Sequence, residues 1–183
     1  MEEIYQPEED SFFLSDTLKN HLRRSDRKIN ILDMGSGSGI QAKTCLNLRF
    51  THVTASDINK EAIKSLKDTF KKKIKIIKSD LFSNINRKFD LIIFNPPYLP
   101  EHKFDSEKDT TGGKKGFEII LKFLKQAKKN LNSNGEIIIL FSSLSNPDII
   151  KKTAETIGYK SELIAKKSLF FEELFIYTLK LKH

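Results

Sequence analysis

Tryptophan is absent from this 183-residue chain, cysteine occurs once, at Cys45, and methionine occurs twice. One cysteine cannot close an intramolecular disulfide, which excludes a stapled secreted scaffold and fits a reducing, cytoplasmic setting. With 5 prolines and 8 glycines the chain is neither collagen-like nor a low-complexity linker. Long apolar runs are missing too. The longest, residues 137–141, falls far short of the roughly 20 residues that cross a bilayer, so no membrane partner is expected. The first ten residues, MEEIYQPEED, hold five acids and no base. That order is neither a signal peptide nor a basic nucleic-acid arm. His21, His52, His102 and His183 show no metal-ligand spacing with one another or with Cys45, so no metal site is expected. His52, at the start of a strand, reads as a partly exposed sheet residue, and Cys45, mid-helix, as a small core residue.

What is present is a globular mixture of 38% hydrophobic and 31% charged residues, read as one domain over 1–183. The net charge of +8 leaves an anionic partner such as RNA or DNA open, but does not favour it. Only five of the basic residues are arginines, and the lysine-rich stretches 71–78 and 121–129 read as solvated faces. No aromatics interleave with those lysines to make a stacking platform for single strands.

Hydrophobic periodicity alternates between the two regular structures. Helical patterns cover residues 9–22, 39–49, 59–70, 116–132 and 146–158, with Asn59 as a cap and Gly158 as a stop. Strand patterns cover 29–35, 51–57, 73–81, 89–99 and 135–143, and two closing strands fill the stretch after Gly158. Alternation of this kind predicts an α/β fold: a seven-stranded, mostly parallel sheet with helices on both faces. The last two strands have no helix between them, so they should form an antiparallel hairpin. Phe170, Phe171 and Phe175 near that hairpin are expected in the core, with a partner interface as the second option. Residues 1–28 form a helical lead-in, and 100–115, the longest stretch without periodicity, reads as a functional loop.

Chemistry concentrates at three places. The loop LDMGSGSG (32–39) joins a strand to a helix, with Gly35, Gly37 and Gly39 spaced G-x-G-x-G. A dinucleotide loop would want its third glycine where this chain has Ile40. Asp33, just ahead of the first glycine, would repel a pyrophosphate but suits a ligand with an ammonium group and no phosphate, such as S-adenosylmethionine. Asp57, 18 residues after Gly39, closes the second strand, where an acid can accept from both ribose hydroxyls. Asp80 is expected to end the third strand, placed for an adenine amino group, with Leu81 against the ring. Three acids at the carboxyl ends of three consecutive strands mark the ligand edge of an open α/β sheet.

The third place is Asn95-Pro96-Pro97-Tyr98, directly after a buried strand. The lone pair of an amide or aromatic amine is delocalised, so such a nitrogen is a poor nucleophile. Two fixed acceptors, the Asn95 side-chain oxygen and the Pro96 carbonyl, can take its N–H hydrogens and aim the lone pair at a methyl group on sulfur. The prolines stiffen the backbone that carries these acceptors, and Tyr98 can pack on the flat substrate.

These motifs, in this order, resemble the class I S-adenosylmethionine-dependent methyltransferases that act on nitrogen, whose fold is Rossmann-like. The opening YQPEEDSFFLSDTL (5–18) is similar to the Tyr-x-Pro-x-Glu-Asp-(Ser/Thr) start of the HemK-related subfamily of archaea and eukaryotes. TGGKKGFE (111–118) matches a Gly-Gly-x-x-Gly-x-Glu stretch of the same subfamily. The resemblance spans essentially the whole chain. It implies a cytoplasmic protein-(glutamine-N5) methyltransferase acting on the Gly-Gly-Gln glutamine of class 1 translation release factors. It also implies that Asp10 and Ser11 line the cofactor pocket, that Asp33, Gly35 and Gly37 hold the methionine end, and that Asp57 binds ribose. Asp80 and Leu81 would hold adenine, and Asn95 would sit beside the sulfonium. Residues 100–115, with Gly112 and Gly113, would face the substrate. Asp33 departs from the family, many members having glutamate there. Larger bacterial relatives carry an extra N-terminal docking domain, whereas only about two dozen residues precede the first strand here. Recognition would then fall to the core, the loop or a partner, the subfamily commonly working with a small zinc-binding activator along a sheet edge. Two alternatives stand beside this reading: adenine-N6 methylation of DNA or RNA, and a methyltransferase-like scaffold that binds a partner without turnover.

Overall fold

Strand residues in this chain send alternate side chains to opposite faces, and each face is covered by helices. The structure, a computed structural model, describes residues 7–98 and 116–182. In chain order the elements are α1 (Glu9–His21), β1 (Asn30–Met34), α2 (Ile40–Asn47), β2 (His52–Asp57), α3 (Lys60–Phe70), β3 (Lys75–Lys78) and β4 (Phe89–Phe94). There follow α4 (Glu118–Asn130), β5 (Leu131–Ser142), a single 3-10 turn (Ser143–Ser145), α5 (Pro147–Ile157), β6 (Tyr159–Ser168) and β7 (Glu173–Leu181). The seven strands make one sheet in the order β3-β2-β1-β4-β5-β7-β6. All pairings are parallel from β3 through β5, and β7 is antiparallel to both β5 and β6. The expected sheet and closing hairpin are therefore both present.

Ile31, Val53, Ala55, Leu91, Ile93, Ile138 and Leu140 face a layer built from Leu14 and Leu18 of α1, Ala42 and Cys45 of α2, and Leu66 of α3. Leu32, Met34, Ile92, Phe94, Ile137, Ile139 and Phe141 face Ile120, Phe123 and Leu124 of α4 and Ile150 and Ala154 of α5. The period-2 alternation along β1, β4 and β5 thus feeds two cores at once, as a parallel sheet buried on both faces requires. Cys45 is fully buried, and burial pushes its thiol well above the ordinary value. Asn59 caps α3 as expected, its side-chain oxygen accepting from the backbone N–H of Glu61 and Ala62. Gly158 ends α5 in the left-handed region at φ 103°.

Two expectations need correction. β3 covers only Lys75–Lys78, so Asp80 lies beyond the strand rather than at its end. The proline pair does end β4, as its inability to donate to a ladder requires: the strand stops at Phe94, and residues 95–98 have no regular structure. Phe170 and Phe171 are not core: they are 91% and 85% exposed in the β6–β7 turn, edge-to-face with each other. Only Phe175 packs inward, beside Phe141. His102, His183, Tyr5, Gly112, Gly113 and the loop 100–115 lie outside the described residues. Among the described residues, no helix is long and apolar enough to cross a membrane, and no group of three His, Cys, Asp or Glu side chains could hold a metal.

Candidate functional site

Parallel strands deliver their carboxyl ends, and the loops that follow, to one edge of the sheet. The glycine loop leaves β1 there. Gly35, Gly37 and Gly39 take φ values of 61°, 50° and 81°, so every second residue is left-handed, and only glycine does this without strain. The third glycine also has a packing reason. A Cβ on Gly39 would lie 2.6 Å from Phe70 Cε2 and 2.7 Å from Leu66 Cδ2 on α3. Gly39→Ala should cost at least about 2 kcal/mol in urea denaturation, the left-handed penalty of about 1–2 kcal/mol being compounded by overpacking. A change below about 0.5 kcal/mol would show that α3 can retreat.

The loop is laced to β2. Ser36 N donates to Ser56 O at 2.9 Å, and Gly37 N donates to Asp57 Oδ2 at 2.8 Å. Asp57 Oδ1 accepts from Asn59 N at 2.8 Å. Burial outweighs these backbone donors and raises the Asp57 carboxyl above its usual value. Each carboxylate oxygen has more than one acceptor direction, so the bonds to the loop leave capacity for a ligand hydroxyl.

Asp33 is 2% exposed, under the loop. Its Oδ2 accepts from Ala42 N at 3.0 Å, in the first turn of α2. Gly39, the N-cap of α2, has no side chain to cap with, so a carboxylate from β1 takes one of that helix's orphan donors. Burial, and then the nearby Asp57 charge, push Asp33 up to about 7 despite the bonds from Ala42 and Ser36. A buried acid in this condition is well matched to a cationic ligand group.

Asp80 is half-exposed and held by Lys122 of α4, whose Nζ lies 3.2 Å from Oδ1 and 3.0 Å from Oδ2. Leu81 is buried at a positive φ of 47°, uncommon for a branched residue. Ser79 explains how this turn is held: its hydroxyl donates to Leu81 O at 2.7 Å and accepts from Asn84 N at 3.0 Å. Neither Ser79 nor Lys122 carries a sequence signal for these roles.

Asn95 follows β4 and meets the start of α1. Its Nδ2 donates to Asp10 Oδ2 at 2.9 Å and lies 3.4 Å from Ser11 Oγ. Its Oδ1 is buried and has no hydrogen-bond partner among the described residues. A lone acceptor in a dry place costs free energy unless a ligand satisfies it. Pro96 is buried, and Pro97 and Tyr98 are half-buried. Tyr98 O accepts from Ser145 Oγ at 2.9 Å, which pins the end of this segment to the 3-10 turn after β5. Gln41 of α2 is another residue without a sequence signal. Its Nε2 donates to Ser11 O at 2.9 Å, and its Oε1 is buried without a partner.

The sheet thus brings Asp10, Ser11, Asp33, Gly35, Gly37, Asp57 and Asn95 to one edge, with Asp80 and Leu81 on the adjoining turn. The glycine loop, residues 33–39, contains an acid and no cation. That donor set suits an uncharged or cationic nucleoside better than a phosphate.

Comparison with known proteins shows the family and the fold. The family model described as methyltransferase small domain matches residues 9–168. A Methanocaldococcus jannaschii protein, provisionally named a protein N5-glutamine methyltransferase, is 35% identical over 182 residues, covering 95% of this chain and 90% of that protein. The ribosomal RNA small subunit methyltransferase C of Haemophilus ducreyi is 37% identical over 129 residues, 67% of this chain but only 36% of its own length. Among solved structures, the Mtq2–Trm112 complex of E. cuniculi, described as responsible for methylation of the eRF1 translation termination factor, superposes with a TM-score of 0.79. It is 24% identical and covers 97% of this chain and 98% of that one.

Proposed function

Since this chain belongs to the methyltransferase small domain family, we propose that it transfers a methyl group from S-adenosylmethionine to the side-chain nitrogen of a protein glutamine. The acceptor is the Gly-Gly-Gln glutamine of a class 1 translation release factor, and the setting is the cytoplasm. The observation that carries this reading is the buried, unpartnered Oδ1 of Asn95, backed by a fixed Nδ2, just past the end of β4, which pairs with the Asp33-bearing β1, itself paired with the Asp57-bearing β2. An acceptor kept dry and without a partner among the described residues is preorganised for an N–H brought by a substrate.

Asp33 would take the ammonium of the cofactor, Asp57 the ribose hydroxyls, and Asp80 with Leu81 the adenine. Gly35 and Gly37 would let the backbone close on its methionine end, and Asp10 and Ser11 would close the pocket from α1. Bound there, the cofactor supplies an electrophilic methyl on a sulfonium. Asn95 Oδ1 and the Pro96 carbonyl hold the N–H hydrogens of the incoming amide and point its lone pair at that methyl. Pro97 and Tyr98 shape the slot, and the methylated nitrogen loses its surplus proton to water. Asp57→Ala should weaken cofactor binding by about 1.5–3 kcal/mol for each hydroxyl contact removed. An unchanged dissociation constant by calorimetry would place the ribose elsewhere.

Support for a glutamine acceptor comes from the archaeal relative, which matches over nearly its full length. Residues 1–183 act as one domain in this reading, and 100–115 serve as the substrate-side loop. β3 and β6 form the two edges of the sheet, and a small zinc-binding activator would pair along a sheet edge. The test is transfer of labelled methyl to the release factor and to a Gly-Gly-Ala version, each with and without candidate zinc-protein partners. Label on Gly-Gly-Gln alone supports the reading. A second acceptor class, adenine in DNA or RNA, stays in view because one relative is named a ribosomal RNA methyltransferase. Label on an adenine-containing oligonucleotide, with steep salt dependence, would move the assignment there.

A further inference from the structure

Asn95 and Asp10 are 85 positions apart, yet one amide and one carboxylate meet at 2.9 Å. We propose that Asp10 is a positioning residue for Asn95: its carboxylate decides which way the Asn95 amide faces and keeps Oδ1 turned toward the acceptor nitrogen. The inference rests on the reading that Asn95 receives that nitrogen, and it adds a task for α1 beyond lining the cofactor pocket.

An asparagine amide is nearly symmetric in shape, so packing alone cannot tell its oxygen from its nitrogen. Hydrogen bonding can. Here Nδ2 faces two oxygens, Asp10 Oδ2 and Ser11 Oγ. Turning the amide over would press Asn95 Oδ1 against a carboxylate oxygen. It would also put an N–H donor where Oδ1 now lies buried without a partner. A donor there would face the N–H of the acceptor and block the reaction geometry. The carboxylate also acts through the bond: pulling on Nδ2–H shifts electron density toward Oδ1 and makes it a better acceptor, the cooperativity expected of chained hydrogen bonds.

The lock works only if α1 is itself held, and it is. Ser15 Oγ and Thr44 Oγ1 lie 2.7 Å apart, Gln41 Nε2 bonds Ser11 O at 2.9 Å, and Leu14 and Leu18 are fully buried. The second Asp10 oxygen is used as well, accepting from Ser11 N. Both oxygens therefore have donors. The Asp10→Asn variant keeps the shape but offers one oxygen to two donors, so one of the two bonds must fail.

The experiment compares wild type, Asp10→Asn and Ser11→Ala for kcat, acceptor KM, cofactor Kd and Tm. It also follows hydrogen exchange of the Asn95 side-chain NH2 by NMR, the signal being assigned by its absence in Asn95→Ala. The expected result for Asp10→Asn is a kcat lower by about 10–100-fold, in line with the cost of a misplaced group. Acceptor KM and cofactor Kd stay within about threefold, and protection of the NH2 is lost. Ser11→Ala, which removes the longer contact, gives a smaller loss of the same kind. Unchanged kcat, or a loss in kcat/KM matched by weaker cofactor binding, overturns the proposal, since the second pattern marks Asp10 as a cofactor ligand only. If wild type methylates no acceptor, the proposed function fails, and NMR alone decides the lock. Unchanged NH2 protection in Asp10→Asn then overturns it, and lost protection upholds it.

Discussion

Replacing Asn95 with alanine is expected to lower kcat for methyl transfer by about 10²–10³-fold while the cofactor dissociation constant moves by less than about threefold. The magnitude is that of losing one preorganised hydrogen-bond partner at a reacting centre. The asymmetry follows from the geometry. Nδ2 is bonded to Asp10 within the chain, whereas Oδ1 is the atom without a partner, so truncation removes what the acceptor would use. Removal relieves the cost of an unsatisfied buried oxygen but also takes a donor from the buried Asp10 carboxylate, so the two effects on stability oppose each other. Single-turnover transfer and calorimetric cofactor binding together check this. Near-normal turnover would remove Asn95 from the mechanism, and a collapse in cofactor affinity would make it a cofactor ligand instead.

Asp33→Asn should separate stability from binding. Burial raises this carboxyl to about 7. An acid whose pKa is higher in the fold than in the unfolded chain holds its proton better when folded. Its stabilising contribution is therefore complete below the unfolded value, near 4, and is lost as pH rises toward 7. A shift of about three units corresponds to roughly 4 kcal/mol at most. The variant keeps an oxygen for Ala42 N but has no charge to bury. Urea denaturation without cofactor should find Asp33→Asn gaining on wild type by a few kcal/mol between pH 5 and pH 8. Cofactor affinity should fall by about 10–100-fold, the range for a hydrogen bond to a charged group. Parallel stability profiles for the two proteins would show that Asp33 carries no burial penalty.

Much of this molecule is legible locally. Asn59 announces a cap because its side chain serves amides only two and three residues on. Ile137–Phe141 announces a buried parallel strand because both faces are apolar, and the G-x-G-x-G spacing announces a loop that must enter the left-handed region. The Asn-Pro-Pro-Tyr segment announces a strand end because proline cannot continue a ladder. Asp33 and Asp57 are readable as residues of the sheet's carboxyl edge because strand ends collect on one edge of any parallel sheet.

Other features have no local signature. Asp80 looks like its neighbours in sequence, yet Lys122, 42 positions later, holds it through both oxygens. Phe170 and Phe171 read as core by composition, but the β6–β7 turn carries them past the last strand pairing into solvent. The second duty of Asp33, serving the first turn of α2, follows from the loop folding back over β1.

The sequence by itself determined the element types, the closing hairpin and the chemistry offered by the glycine loop, the acids and the amide, because each depends on residues within a few positions of one another. Only the tertiary structure decided which of those groups meet. Asn95 faces Asp10 because the order β3-β2-β1-β4-β5-β7-β6 sets β4 beside β1, and α1 is clamped to α2 above them. That strand order is a global compromise between burying two apolar faces and closing right-handed crossovers, and no window of the chain records it.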